Sequence, residues 1–272
     1  MSDIPIIKSK SHTINCNGRL MDLNSPVVMG ILNITPDSFF PESRKQTEIE
    51  IVERVDQIVR EGAKIIDIGA CSTRPGGEIV NEEEELKRLS YGLSILRREQ
   101  PEVVVSVDTF RPSVAHMAVE EYGASIINDV SGGEDPELLG EVVRLGVPYI
   151  LMSLQSSMEK ILMGFAEKIQ ILRDMGAKDV ILDPGFGFGK TIIDGNFDVL
   201  SKLEKLCVFD LPILVGVSRK RMIFNLLGSD PSKVLNGTTV VNTIALMKGA
   251  SILRVHDVKE AVEACKIVNE IM

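Results

Sequence analysis

Nine polar residues stand where short apolar runs end: Asn33, Asp108, Asn128, Asp183, the trio Ser218, Arg219 and Lys220, and then Arg254 and His256. Lone carboxylates and amides beside an arginine and a lysine suit recognition of a flat, polar ligand that also carries an anion. No serine triad or hydrolase-like pair of carboxylates accompanies them. Asp183 can accept two hydrogen bonds from an N–C–N edge, a charge-assisted contact that is strong and directional. Asp108 and Asn128 can read further edges. Arg254 can lay its planar guanidinium on an aromatic ring while His256 helps hold the anion. Singly, an Asp or Asn at a strand end is most simply a helix cap or turn former. Their convergence is what calls for a site.

The segment "ILDPGFGFGKT" (181–191) invites a second reading, as a phosphate-cradling P-loop. The spacing G-x-x-x-x-G-K-S/T fails, because counting back from Gly189-Lys190-Thr191 puts Pro184 where the first glycine belongs. The glycines instead permit a tight turn after Asp183 that brings Phe188 over the site. The plainer alternative is a strand-to-helix connection with Phe188 in the core.

The elements that must position these residues are periodic. Val- and Ile-rich runs alternate with segments of helical periodicity, the pattern of parallel strands covered by crossover helices. There are eight runs: 27–33, 65–69, 103–109, 125–130, 149–153, 180–184, 213–218 and 251–256. Eight such units in 272 residues predict one TIM-type (β/α)8 barrel domain, whose site lies at the C-terminal ends of the strands. Before the first run, Asn17-Gly18 in "TINCNGRLMDL" predicts a type I′ hairpin that could plug the barrel's bottom. Two helical stretches between the last two strands predict a short extra helix in the seventh loop. His12 and His116 read as surface residues, and "NEEEEL" (81–86) as a solvated helix start favoured by the helix dipole.

Composition narrows the function classes. A net charge of −9 and a pI of about 5.0 argue against a nucleic-acid surface. No apolar stretch approaches the roughly 20 residues that span a bilayer. Cys16, Cys71, Cys207 and Cys265 form no C-x-x-C pair and no metal-like spacing with the three histidines. Nothing marks them as nucleophiles, and the first ten residues lack the apolar core of a signal peptide, so a reduced, cytoplasmic setting is expected.

Seven collinear segments now carry a resemblance: "MGILNITPDSF" (29–39), "IIDIGACSTRPGG" (65–77), "VSVDT" (105–109), "IINDVSGG" (126–133), "ILDPGFGFGKT" (181–191), "LVGVSRK" (214–220) and "RVHD" (254–257). Together they resemble the dihydropteroate synthase family of pterin-binding barrels. The resemblance implies condensation of 6-hydroxymethyl-7,8-dihydropterin pyrophosphate with p-aminobenzoate, releasing pyrophosphate and forming 7,8-dihydropteroate for folate synthesis. By position it implies Asp108, Asn128, Asp183, Gly216, Lys220 and Arg254 around the pterin, with Met152 and Phe188 near its walls. Asn33, Thr73, Arg74, Arg254 and His256 match the pyrophosphate pocket, with Asn33 the expected protein ligand of a magnesium ion. Phe39, Pro75, Phe188, Lys220 and Arg221 border the p-aminobenzoate pocket, where sulfonamides compete. Asp37, Lys220, Arg254 and His256 are the implied catalytic residues. A homodimer through helices of the later barrel half is also implied.

Three segments depart from the family pattern. Phe40-Pro41-Glu42-Ser43-Arg44-Lys45 replaces an Asp-Gly-Gly stretch, Ser153 stands where a histidine is usual and is followed by a short connection, and Arg221 replaces a serine. These departures favour one competing reading, an inactive or weakly active pterin-binding relative that acts through partners, although Asp37, Arg254 and His256 all persist. Another, a methyltetrahydrofolate–corrinoid methyltransferase of the same family, sits poorly with "TPDSF", "SRK" and "RVHD", which suit a pyrophosphate ester.

Overall fold

Alternation within each strand sorts the side chains of this chain into two sets, and that sorting builds the barrel. The computed structural model describes residues 12–34, 44–70 and 80–271. Eight parallel strands follow the hairpin: β3 (Val27–Asn33), β4 (Ile65–Gly69), β5 (Val104–Asp108), β6 (Ile126–Asp129), β7 (Tyr149–Met152), β8 (Val180–Asp183), β9 (Leu214–Val215) and β10 (Ile252–Val255). Their lateral order is β8-β7-β6-β5-β4-β3-β10-β9. A parallel bridge from Leu182 to Ile213 joins the two edges and closes the barrel.

In β4, Ile66 and Ile68 join the large apolar layer under the helices, whereas Ile65 joins a separate cluster with Met29, Ile126, Ile150, Ile181, Leu214 and Ile252. Residues two apart on a strand share a face. The second cluster therefore fills the bottom of the barrel, and Asp67, Asp108, Asn128, Met152, Asp183, Gly216 and Arg254 stand one or two steps above it on the inward face. The bottom is sealed as expected. β1 (Thr13–Cys16) and β2 (Arg19–Asp22) pair antiparallel, and Ile14, Cys16 and Leu23 pack into the bottom cluster. Asn17 and Gly18 both have positive φ, 54° and 82°, the conformation a type I′ turn demands.

Helices cover the outside: α1 (Arg44–Arg60), α2 (Glu82–Glu99), α3 (Pro112–Glu120), α4 (Pro136–Leu145), α5 (Met158–Met175), α6 (Asp194–Ser201), α7 (Arg221–Leu226), α8 (Leu235–Met247) and α9 (Val258–Asn269). α7 is the short extra helix expected before α8. No described helix is long and apolar enough to cross a membrane.

Some expectations need correction. The seventh barrel strand is ladder-paired only at Leu214–Val215; Val217 still packs under the helices, and the chain turns at Ser218 and Arg219. His12, expected at the surface, extends the hairpin, its carbonyl accepting the Leu23 amide at 2.9 Å, and its side chain is only 15% exposed, with Nε2 3.5 Å from Asp210 Oδ1. His116 is exposed as expected and joins Glu141 and Arg144. The acidic helix start is only partly solvated. Asn81 caps it by accepting from the Glu84 amide, but Glu85 is buried, takes the Thr109 hydroxyl at 2.7 Å and pairs with Arg111. Burial pushes the Cys16 and Cys265 thiols up to about 11 and about 12, so neither is a nucleophile at neutral pH.

Candidate active site

The inward polar layer is organised around Arg254 on β10. Its Nε and Nη2 both lie 2.6 Å from Asp67 Oδ2, and Nη2 also donates to Asp108 Oδ2 at 3.0 Å. Asp67, fully buried on β4, further accepts from Ser106 Oγ at 2.6 Å and from Asn128 Nδ2 at 3.3 Å. Four strands, β4, β5, β6 and β10, thus meet in one network. Burial alone would pull the Arg254 guanidinium down, but Asp67 and Asp108 more than offset it and hold its pKa above the ordinary value.

Asp67 is the residue that reading only the last polar residue of each strand passes over. Its signal was available: it is the one charged side chain in an otherwise apolar run, at the inward position of "IIDIG". It holds Arg254 and Asn128 in place, and only one oxygen of Asp108 is engaged by Arg254. Asp108 Oδ1 is buried without a hydrogen-bond partner. Such an atom in a low-dielectric wall is costly unless a ligand satisfies it. Burial pushes the Asp108 carboxyl up to about 7 against the pull of Arg254.

Opposite lies the loop after β8. Asp183 is buried, its Oδ1 accepts the Gly185 amide at 2.7 Å, and burial raises its pKa although Lys220 draws it down. Gly185 has φ +70°, and a Cβ there would lie 2.0 Å from the Ser153 carbonyl oxygen. Only glycine lets the chain turn this close to the end of β7. Lys190, the residue that suggested a P-loop, donates to the carbonyls of Gly185 and Phe188 at 2.8 and 3.1 Å. It is a strut within its own loop. The core phenylalanine is Phe186; Phe188 is half-buried and faces Lys220, whose Nζ is 5.2 Å from the ring centroid. Lys220 also donates to the Phe186 carbonyl, and burial lowers its pKa to about 8. Met152 is buried at the end of β7, and Gly216 lies beside Arg254, where a Cβ would meet that side chain at an ordinary 3.8 Å.

The remaining expected residues are spread along the rim. His256 Nδ1 lies 3.2 Å from Ser218 Oγ. Arg219, grouped with the site residues by sequence, instead makes a two-pronged pair with Asp257 at 2.9 and 2.8 Å. Asn33 and Arg221 are exposed, at the end of β3 and the start of α7. Asp37, Phe39, Thr73, Arg74 and Pro75 lie outside the described residues.

A buried carboxylate wall with one unpartnered oxygen, the Arg254 guanidinium held above the barrel floor and Lys220 beside Phe188 match the needs of a planar, donor-rich heterocycle bearing an anion. The model for the family of pterin binding enzymes matches residues 29–256. The chain belongs to the pterin binding enzyme family. This pterin binding enzyme is 40% identical to dihydropteroate synthase of Escherichia coli over 92% of its own length and 93% of that protein. It is 40% identical to that of Clostridium beijerinckii over 90% and 94%. The solved dihydropteroate synthase of Xanthomonas albilineans with 4-aminobenzoic acid superposes with a TM-score of 0.89 at 36% identity, covering 96% of this chain and 98% of that one. The same enzyme in complex with 7,8-dihydropteroate gives 0.86 at 35% identity.

Removing one partner of a buried ion pair strands the other charge and costs about 3 kcal/mol or more. Asp67→Asn is accordingly expected to lower unfolding free energy by that order in urea at pH 7. Loss of under 1 kcal/mol would mean that Asp108 alone suffices to hold Arg254.

Proposed function

We propose that the chain is a dihydropteroate synthase, joining 6-hydroxymethyl-7,8-dihydropterin pyrophosphate to p-aminobenzoate and releasing pyrophosphate. The observation that carries this reading is the unpartnered Asp108 Oδ1 facing a network in which Asn128 and Arg254 are already held. The pterin's ring N–H groups satisfy Asp108 and Asp183, Asn128 and Lys220 read its other edge, and Met152, Phe188 and Gly216 border its faces. Arg254 stacks on the ring. In the reaction the bond from the pterin methylene carbon to the pyrophosphate oxygen breaks, and the ring shares the positive charge left behind. The arylamine nitrogen then attacks that carbon and loses a proton. An arylamine is neutral and nucleophilic at pH 7, so preorganised charge and positioning supply the catalysis. Arg254 and His256, with Thr73 and Arg74, hold the departing anion. Asp37 steadies the cation. Phe39, Pro75, Phe188, Lys220 and Arg221 surround p-aminobenzoate.

Asn33 offers one exposed amide oxygen, and the described residues hold no group of three or more His, Cys, Asp or Glu suited to a metal. That donor set fits magnesium, which keeps its waters, takes one or two protein oxygens and shares phosphate oxygens. When bound, magnesium supplies charge neutralisation to the pyrophosphate. The partners are these small molecules and a second copy of the chain. Leu226, Leu227, Val240 and Ile244 on and beside α7 and α8 are exposed apolar residues that a homodimer would cover. Sedimentation should give twice the chain mass, and Val240→Lys should give monomer; a monomeric parent protein removes the dimer.

The deciding experiment supplies dihydropterin pyrophosphate, magnesium and p-aminobenzoate, follows pyrophosphate and dihydropteroate together, and omits each component in turn. Product that needs all three is expected. Pyrophosphate without dihydropteroate would place the fault at Arg221, which Arg221→Ser should then repair; silence on both channels from folded protein ends the synthase reading. Binding is also pH-dependent with a calculable sign. Ring donors favour ionised Asp108, so pterin affinity rises as pH passes about 7. It falls again above about 8 as Lys220 loses its proton. Calorimetric titration of Asp108→Asn should lack the acid limb; an unchanged profile would assign that limb elsewhere.

A further inference from the structure

His256 sits at the exit of β10, and its neighbours hold it from two sides. On one side Ser218 Oγ accepts the His256 amide at 3.2 Å and meets the imidazole Nδ1 at the same distance. The following residue, Asp257, is locked by Arg219. On the other side stands Arg54, halfway along α1. Its Nη2 donates to the His256 carbonyl at 2.7 Å and reaches the Ile31 carbonyl at 3.4 Å, while Nη1 is steadied by Gln57 Oε1 at 3.0 Å. Gln57 in turn donates to Glu61 at 2.8 Å. A helix that otherwise only covers the barrel thus sends one half-buried guanidinium inward to the backbone of a rim residue.

Burial lowers the Arg54 pKa, a cost that a surface lysine or glutamine on α1 would avoid. What the guanidinium gains is geometry. One nitrogen, Nη2, bridges β3 and the exit of β10, adjacent strands whose register pairs Val255 with Gly30. Asn33, Arg254 and His256, the expected anion-end residues within the described chain, all lie on or just beyond these same strands.

We propose that Arg54 is a positioning residue for the pyrophosphate end of the site: by clamping the His256 and Ile31 carbonyls it sets the spacing and aim of His256 relative to the end of β3. The inference rests on the dihydropteroate synthase reading, in which His256 meets pyrophosphate. Arg54 itself touches neither substrate nor product.

The test compares the parent protein, Arg54→Met and Arg54→Lys by calorimetric titration with inorganic pyrophosphate in magnesium buffer and, separately, with the phosphate-free 6-hydroxymethyl-7,8-dihydropterin. Thermal unfolding checks that each variant is folded. Losing a charge-assisted hydrogen bond predicts pyrophosphate affinity about tenfold lower in Arg54→Met. Arg54→Lys should recover part of it, and the pterin alcohol should bind all three alike. An equal loss for both ligands would make Arg54 merely structural, and an unchanged pyrophosphate affinity would remove its role; either overturns the proposal. If Arg54→Met does not fold, Arg54→Gln supplies the same comparison. Turnover of the parent protein is read independently: an inactive parent sinks the synthase assignment, whereas an active parent with indifferent variants sinks only the role of Arg54.

Discussion

Arg254 is the pivot of the molecule. A guanidinium in the middle of a barrel is tolerable only if its charge is met, and meeting it takes Asp67 from β4 and Asp108 from β5. Once both carboxylates are committed, Asn128 and Ser106 are drawn to Asp67, and the strands carrying them cannot slip by one residue without turning the network outward. The same interaction leaves Asp108 with an unmet oxygen. The charge that fixes the register of the sheet therefore also leaves the binding site its principal acceptor.

A second constraint acts across the barrel, in the backbone. The turn after Asp183 passes so close to the end of β7 that Gly185 and Gly189 lie against the carbonyls of Ser153 and Leu154, where any Cβ would collide. Lys190 then ties the turn to itself. Phe188 and Lys220 face one another as a result, and the short connection after Ser153 is met by backbone packing.

Much of this was legible from residue order. Val- and Ile-rich runs alternating with helical segments show the eightfold repeat, Asn17-Gly18 can hardly do anything but turn a hairpin, and polar residues ending apolar runs lead to Asp108, Asn128, Asp183 and Arg254. Asp67 escaped because it lies one residue pair below the strand end, where only the in-out alternation distinguishes it. Arg219 was grouped with the site because it sits between Ser218 and Lys220, yet its positive φ of 55° turns it away from the barrel and toward Asp257. Glu85 looked like one of four equivalent acidic residues. Helical phase, which a charge run does not display, buries it alone beside Thr109. Side-chain partners across more than a hundred residues, such as Arg54 with His256, leave no trace in local pattern at all.

The hairpin at the bottom of the barrel has a kinetic meaning. With Ile14, Cys16 and Leu23 closing one end, the interior is a blind well with a single mouth. In the proposed reaction the heterocycle that reaches the carboxylate wall must descend first, and the aromatic acid that follows closes the exit over it. The joined product leaves as one molecule through the same opening, aromatic end first. Such a vessel imposes a sequence of entry and release by shape alone, before any loop has moved.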